Sequence, residues 1–201
     1  NYEILFNGVD IEQIQQIPPL PTEAPTIFFC GRHEDRKGLR VLIEAFEAMP
    51  DNTMLWVAGE GPDTIGLMQQ TAGHDRIQWL GRITDEDKFA RLRGADVFCA
   101  PSLGGESFGV VLIEAMAANT TVVASALDGY RNVATHELNA LLAEPGSVDG
   151  LARQLQRALD DEAVTVALRS AGMVRAQRFS MSSLVDRYVE IYERLIANEP
   201  A

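Results

Sequence analysis

The segment Gly104-Gly105-Glu106-Ser107-Phe108-Gly109-Val110-Val111-Leu112-Ile113-Glu114 concentrates the residues that could do chemistry. Two glycines, a carboxylate and a further glycine stand between a strand pattern and a helix pattern. Glycines let the backbone approach a ligand, and successive N–H groups at a helix start bind anions or hydroxyls. Glu114 stands among Val111, Leu112, Ile113, Ala115 and Met116. A carboxylate in that company needs a partner, unless its side of the helix faces water. The two glutamates also raise the question of a glycosidase pair. Eight residues along a helix span about 12 Å. Retaining hydrolases want about 5 Å between carboxyl groups, and inverting ones up to about 9.5 Å. Two contacts along one extended ligand suit the spacing better.

A second candidate is the loop Gly31-Arg32-His33-Glu34-Asp35-Arg36-Lys37-Gly38. It places three cations before a helix, where the positive end of the dipole disfavours them. A bound anion would reconcile them, because phosphate takes both orphan N–H groups and Arg or Lys side chains. The competing reading is a solvated loop in which Glu34 and Asp35 neutralise their neighbours. A third candidate, Gly59-Glu60-Gly61-Pro62-Asp63-Thr64, is half of a dinucleotide fingerprint. Its third glycine is replaced by Thr64, which argues against a nicotinamide dehydrogenase and leaves a close backbone approach or a tight turn.

Other chemistries find little footing. His33, His74 and His136 share no ligand spacing, so no metal site is expected. Cys30 and Cys99 lie in apolar strand patterns and read as core, as do Trp56 and Trp79. No G-x-S-x-G elbow occurs.

These loops need elements to hold them. Short apolar runs predict strands at 26–31, 54–59, 77–80, 96–100, 120–124 and 140–142. Helical spacing predicts helices at 37–48, 63–72, 84–93, 108–118, 148–159, 162–175 and 181–196. Thr84 stands as N-cap with Asp87 at the capping-box position. Strands apolar on both faces and alternating with helices imply a parallel sheet covered on both sides. The expected fold is α/β: a Rossmann-like, doubly wound, six-stranded parallel sheet with C-terminal helices. Ligands of such sheets sit outside the strand carboxyl ends. Both candidate loops, together with 59–63 and 81–85, fall there.

Composition narrows the function classes. The chain has 201 residues, 46% of them hydrophobic, enough for one generous core. Its net charge of −12, from 29 acids against 17 Lys and Arg, argues against a nucleic-acid binder and against a basic patch for anionic membranes on this piece. Two cysteines form no disulfide framework, which favours a reducing, cytoplasmic compartment. No apolar run approaches the roughly 20 residues of a membrane helix. Residues 1–25, with Ile17-Pro18-Pro19-Leu20-Pro21, read as a linker, and the start Asn1-Tyr2-Glu3 reads as a cut from a longer chain.

Taken together the segments resemble the donor-binding half of GT-B retaining glycosyltransferases of family 4. The family pattern is glutamate, seven residues, glutamate: here Glu106 and Glu114. It is preceded by Cys99-Ala100-Pro101-Ser102 and followed by Glu114-Ala115-Met116-Ala117-Ala118 and Thr121-Val122-Val123-Ala124-Ser125. The 31–38 loop, Ala58-Gly59-Glu60-Gly61-Pro62 and Phe6-Asn7-Gly8-Val9-Asp10 also match. Residues 104–123 are most similar to bacterial phosphatidylinositol mannosyltransferases. Asn119 departs from a glycine common in the family, at a position where Asn also tolerates a left-handed cap.

The resemblance implies a nucleotide-sugar donor, GDP-mannose, and retention of configuration without a metal or other cofactor. A donor phosphate oxygen would take the acceptor proton. Arg32 and Lys37 would hold the diphosphate beside Gly31 and Gly59. Glu114 would accept from the ribose hydroxyls. Glu106 would contact the sugar, with backbone N–H groups of Ser107, Phe108, Gly109 and Val110 on sugar and phosphate. Ile83, Asp85 and Lys88 would form the base-contacting loop. The implied organisation is an interdomain hinge at 1–25, a donor-binding domain at 26–180 and a crossover helix at 181–201. An N-terminal domain absent from these residues would supply the lipid or glycan acceptor site, the phosphatidylinositol specificity and any peripheral membrane contact at the inner face. The competing functions are a UDP-sugar transferase, a noncatalytic nucleotide-sugar binding module and a flavodoxin-like regulatory domain. The last is disfavoured by Gly31, Gly59, Gly81 and Pro101 at strand ends where a receiver carries acids.

Overall fold

The structure is a computed structural model describing residues 6–197, so the reading of Asn1-Tyr2-Glu3 as a cut end lies outside the described residues. In chain order the elements are α1 (Ile11–Gln16), β1 (Thr26–Cys30), α2 (Leu39–Phe46), β2 (Met54–Ala58), α3 (Thr64–Gln70), β3 (Ile77–Gly81), α4 (Asp85–Gly94), β4 (Val97–Ala100), α5 (Val110–Ala117), β5 (Thr121–Ser125), α6 (Asp128–Arg131), β6 (Leu141–Ala143), α7 (Val148–Asp160), α8 (Glu162–Gln177) and α9 (Met181–Ile196). The six strands form one sheet in the order β3-β2-β1-β4-β5-β6, every pair parallel. The order reverses between β1 and β4, where Phe28 is in register with Phe98. That reversal brings the loop after β1 beside the loop after β4.

Alternation along each strand feeds two cores. Phe28 and Phe98 point to one face with Leu112, Ile113 and Leu92 of α5 and α4. Ile27, Phe29 and Val97 point to the other with Leu42 and Phe46 of α2 and Leu151 and Leu155 of α7. Period-2 strands and period-3.6 helices therefore meet on both sides of the sheet, as a buried parallel sheet requires.

Two helix starts fall later than the apolar spacing suggests. Gly38 and Gly109 adopt left-handed φ values of 67° and 95°, so α2 begins at Leu39 and α5 at Val110. Residues Asp35–Lys37 form a 3₁₀ turn instead of a first α-turn. Glu106 consequently lies in a loop, and the 12 Å helix spacing between the glutamates does not apply. Two short helices had no counterpart in the periodicity. In α1, within the stretch read as linker, Asp10 caps Gln13 N at 2.9 Å and Ile11 and Ile14 are buried. In α6 the buried residue is Tyr130.

The chain before β1 is fastened down. Leu20 N donates to Ala90 O at 2.8 Å, and a Cβ at Gly94 would meet Leu20 O at 1.9 Å. Val9 sits between the ends of α8 and α9, bonded to Phe179 O at 2.8 Å and by Met181 N at 2.9 Å. The last helix, α9, has no buried residue and displays Val185, Val189, Tyr192 and Ile196. No helix among the described residues is long and apolar enough to cross a membrane.

Candidate functional site

The carboxyl ends of β1, β2 and β3 surround a cleft of about 760 Å³ lined by Cys30, Gly31, Arg32, Gly59, Glu60, Gly61, Arg82 and Ile83. Its floor is knitted by backbone bonds between strand ends: Gly31 N to Ala58 O at 3.1 Å and Gly59 N to Gly81 O at 2.8 Å. The Gly59-x-Gly61 pair serves this knitting. A Cβ at Gly59 would stand 1.9 Å from Gly31 O, and one at Gly61 would stand 2.3 Å from His33 O. The close approach expected from these glycines is thus to the neighbouring loop of the same chain. His33 is buried in that seam, with Nδ1 2.8 Å from Thr64 Oγ1. Burial lowers its pKa from the ordinary value, against opposing contributions from the Ala58 carbonyl, Glu60 and Asp63.

A second wall comes from the loops after β1 and β4. Lys37 Nζ is 2.6 Å from Glu106 Oε1, and Arg36 Nη1 is 3.4 Å from the same oxygen. Ser102 Oγ donates to Oε1 as well, at 3.0 Å. The backbones are tied too: Leu103 N donates to Arg36 O at 2.7 Å. Arg36 also pairs with Glu34 at 2.6 Å, and Arg32 stands 3.7 Å from Glu34 with most of its side chain in water. The solvated-loop reading therefore holds for Glu34 with Arg36, while Lys37 turns inward.

The third group lies between α4 and α5. Lys88 Nζ is 2.9 Å from Glu114 Oε1 and 3.2 Å from Asp85 Oδ1. The side chains of Lys88 and Glu114 are 16% and 15% exposed, so Glu114 has found the partner its apolar surroundings demand. Burial pulls the Lys88 ammonium down, but the charges and hydrogen bonds of Glu114 and Asp85 outweigh it and leave its pKa raised. Cys30 connects this group to the cleft. Burial, chiefly, pushes its thiol up to about 11; Lys88 acts in the opposite sense, and Glu114 and Asp85 add to the rise. Cys30 is half-buried and lines the cleft, so its expected place in the core holds only in part; Cys99 is fully buried.

Of the residues singled out in the sequence, Gly31, Arg32, Gly59 and Ile83 line the cleft. Lys37 is joined to Glu106, and Asp85 and Lys88 to Glu114. Among 107–110, Ser107 is exposed, and Phe108 is turned into packing, stacked on Phe6 with ring centroids 4.8 Å apart. Gly109 caps α5, which begins at Val110. What this stretch can offer a ligand at Phe108 is its backbone. The cleft also contains Glu60 and Gly61 of the third candidate segment, and Cys30 and Arg82, which the motif reading did not assign to a ligand; Arg82 and Glu60 pair at 3.0 Å across its rim. Arg36 was visible as one of three clustered cations. Ser102 closes the Cys99-Ala100-Pro101-Ser102 segment of the resemblance but was given no role there, and Tyr130 carried no signal.

Residues 10–174 match the family model of the glycosyl transferases group 1. The chain belongs to that family. The phosphatidyl-myo-inositol mannosyltransferase of Mycolicibacterium smegmatis is 38% identical over 198 residues, covering 93% of this chain and 50% of that protein. Sucrose-phosphate synthase from Thermosynechococcus elongatus superimposes with a TM-score of 0.83 at 29% identity, over 96% of this chain and 52% of that one. Anabaena HepE, solved with UDP-glucose, shares the fold at a TM-score of 0.85 and 23% identity, over 95% of this chain and 57% of that one. The fold is the Rossmann-like half of a GT-B group 1 glycosyltransferase. The chain spans about half the length of the curated relatives it matches.

Proposed function

We propose that this chain is the donor-binding half of a retaining hexosyltransferase that moves mannose from GDP-mannose to a lipid, phosphatidylinositol, on the cytoplasmic side of a membrane. The observation that carries the reading is the pairing of two loop-and-helix carboxylates with two lysines beside a glycine-walled cleft: Lys37 with Glu106 and Lys88 with Glu114. The names of the mannosyltransferase relatives support the choice of sugar and lipid. In this reading Arg32 and Lys37 meet the diphosphate and stabilise its charge as the glycosidic bond breaks. Glu114 accepts from the ribose, Glu106 from the transferred sugar, and Ile83, Asp85 and Lys88 flank the base. The transfer calls on no metal; a donor phosphate oxygen takes the acceptor proton. The acceptor site belongs to a partner domain, and the apolar face of α9 fits packing on such a domain.

Calorimetry with GDP, GDP-mannose, UDP and UDP-glucose tests the reading. Glu114→Gln is expected to weaken GDP and GDP-mannose alike, by about 1.5–3 kcal/mol for a charge-assisted contact. Glu106→Gln should leave GDP undiminished and lower the preference for GDP-mannose. Tighter binding of the uridine pair would replace the donor; binding of none would overturn the reading. With radiolabelled GDP-mannose and phosphatidylinositol, this chain alone is expected to bind without turnover, because misplacing the acceptor by an ångström costs about a hundredfold.

A further inference from the structure

Three donors converge on one oxygen of Glu106. Lys37 Nζ, Arg36 Nη1 and Ser102 Oγ all reach Oε1, at 2.6, 3.4 and 3.0 Å, and Oε2 has no protein partner among the described residues. Two of the three are cations at the loop that the proposed function gives to the donor diphosphate. A phosphate arriving there competes with Glu106 for Lys37. Ser102 is the donor with no such competitor.

Ser102 is itself held from behind. Its Oγ lies 3.1 Å from the hydroxyl of Tyr130, and both residues are buried, at 2% and 1% exposure. A serine hydroxyl has one hydrogen. Since that hydrogen goes to Glu106, the bond from Tyr130 runs phenol to serine, and the chain is directional: Tyr130 Oη–H to Ser102 Oγ–H to Glu106 Oε1. Burial pushes the Tyr130 phenol far above its ordinary range, with the Ser102 contact acting in the opposite sense, so the phenol keeps the proton it donates.

The backbone holds the two ends together. A Cβ at Gly129, next to Tyr130, would meet Glu106 O at 1.9 Å. A Cβ at Gly109 would meet Tyr130 Cδ1 at 2.9 Å. Helix α6 is therefore pressed against both ends of the 106–109 turn, with no space between.

We propose that Tyr130 and Ser102 are positioning residues for sugar recognition, fastening Oε1 of Glu106 so that Oε2 is the oxygen presented to the donor sugar. The inference rests on the assignment of Glu106 to the sugar. It adds two residues, from α6 and the β4 loop, that act through that carboxylate and touch no ligand themselves. An uncharged buried chain suits the task, because it persists when the cations turn to phosphate.

The test is calorimetry of the chain with GDP and with GDP-mannose, for Tyr130→Phe and Ser102→Ala. Each is expected to leave GDP within about twofold of the parent and to weaken GDP-mannose about three- to tenfold, the net range of a typical hydrogen bond, because both act on the sugar only through the position of Glu106. In a Glu106→Gln background neither change should matter further, because the pathway ends at that carboxylate. Equal losses for GDP and GDP-mannose, or losses that persist in Glu106→Gln, would overturn the proposal. So would variants that keep the parental ratio of the two affinities. Should Tyr130→Phe lose its cooperative melting transition, Ser102→Ala alone decides. A parent that binds no nucleoside diphosphate refutes the functional reading itself; a parent that binds both ligands, with unaltered variants, refutes only the role of Tyr130 and Ser102.

Discussion

Lys37 Nζ rests 2.6 Å from Glu106 Oε1, although the two residues are 69 positions apart in the chain. The contact exists because β1 and β4 are neighbours in the sheet, so the loops that leave them run side by side. It also means that the cation proposed to meet phosphate is already engaged. Arg32, by contrast, has a side chain 70% exposed and a carboxylate no nearer than Glu34 at 3.7 Å.

This asymmetry sets the expected outcome of removing each cation. Arg32→Ala should weaken GDP by about 1.5–3 kcal/mol, the range for a charge-assisted hydrogen bond. Lys37→Ala should cost less, because the parent must first give up part of the Lys37–Glu106 pair. Guanosine without phosphates should bind both variants as it binds the parent. Calorimetry with the two ligands reads this directly; equal losses for guanosine and GDP would mean that the 31–38 loop has collapsed.

Cys30 offers a label inside the cleft. Its thiol is pushed up to about 11, chiefly by burial. The thiolate is the reactive form, so alkylation by iodoacetamide should be slow at pH 8 and rise about tenfold per pH unit as far as pH ~10. Cys99, fully buried, should stay unmodified in the folded chain. Because Cys30 lines the cleft, saturating GDP should slow its alkylation severalfold. Mass spectrometry of the two cysteine peptides measures both effects. Unchanged labelling with GDP at saturation would place the nucleotide elsewhere.

His33 predicts how stability responds to acid. Its pKa in the folded chain is lowered from 6.5 by burial, with opposing contributions from the Ala58 carbonyl, Glu60 and Asp63. Below pH 6.5 the unfolded chain therefore binds a proton that the folded chain resists, and folding stability falls as the pH drops. Above pH 6.5 both forms are neutral and the dependence vanishes. The slope contributed by one such group is at most about 1.4 kcal/mol per pH unit. Urea titrations between pH 8 and 5.5 should show this decline in the parent and a flatter profile in His33→Asn. A parent equally stable at both ends would contradict it.

How much of this was legible before folding differs by element. Strands β1 to β4 announce themselves as short apolar runs closed by glycine or proline, and β5 and β6 as apolar runs without that immediate stop, because a strand buried on both faces tolerates little else. Glu106, Glu114, Arg32 and Lys37 stand out because charged residues interrupt glycine-rich or apolar stretches. Their pairing did not stand out: Lys37 meets Glu106 through strand order, and Lys88 meets Glu114 through the packing of α4 on α5. Helix α6 was invisible for a different reason. Four residues make barely one turn, too few to show a period, and its one buried side chain, Tyr130, reads as an isolated aromatic. Six-residue α1 hid in the same way within a stretch that proline marked as linker.

The contact between α6 and the 106–109 turn can be probed by a single methyl group. Gly129→Ala would place a Cβ 1.9 Å from Glu106 O and 2.6 Å from Glu106 C, both backbone atoms that cannot step aside without moving the turn. Overpacking of this kind costs about 1–3 kcal/mol, and the displaced turn should also blunt discrimination between GDP and GDP-mannose. Gly66, inside α3, supplies the control: a Cβ there meets nothing within 4 Å. Gly66→Ala should stabilise the chain by about 0.5–1 kcal/mol, since alanine loses less backbone freedom in a helix. For a chain of this size each kcal/mol shifts the melting temperature by about 2–4 °C. Scanning calorimetry of the two variants should therefore show shifts of opposite sign. A Gly129→Ala variant that melts with the parent and keeps its ligand preference would mean that α6 and the turn are free to separate.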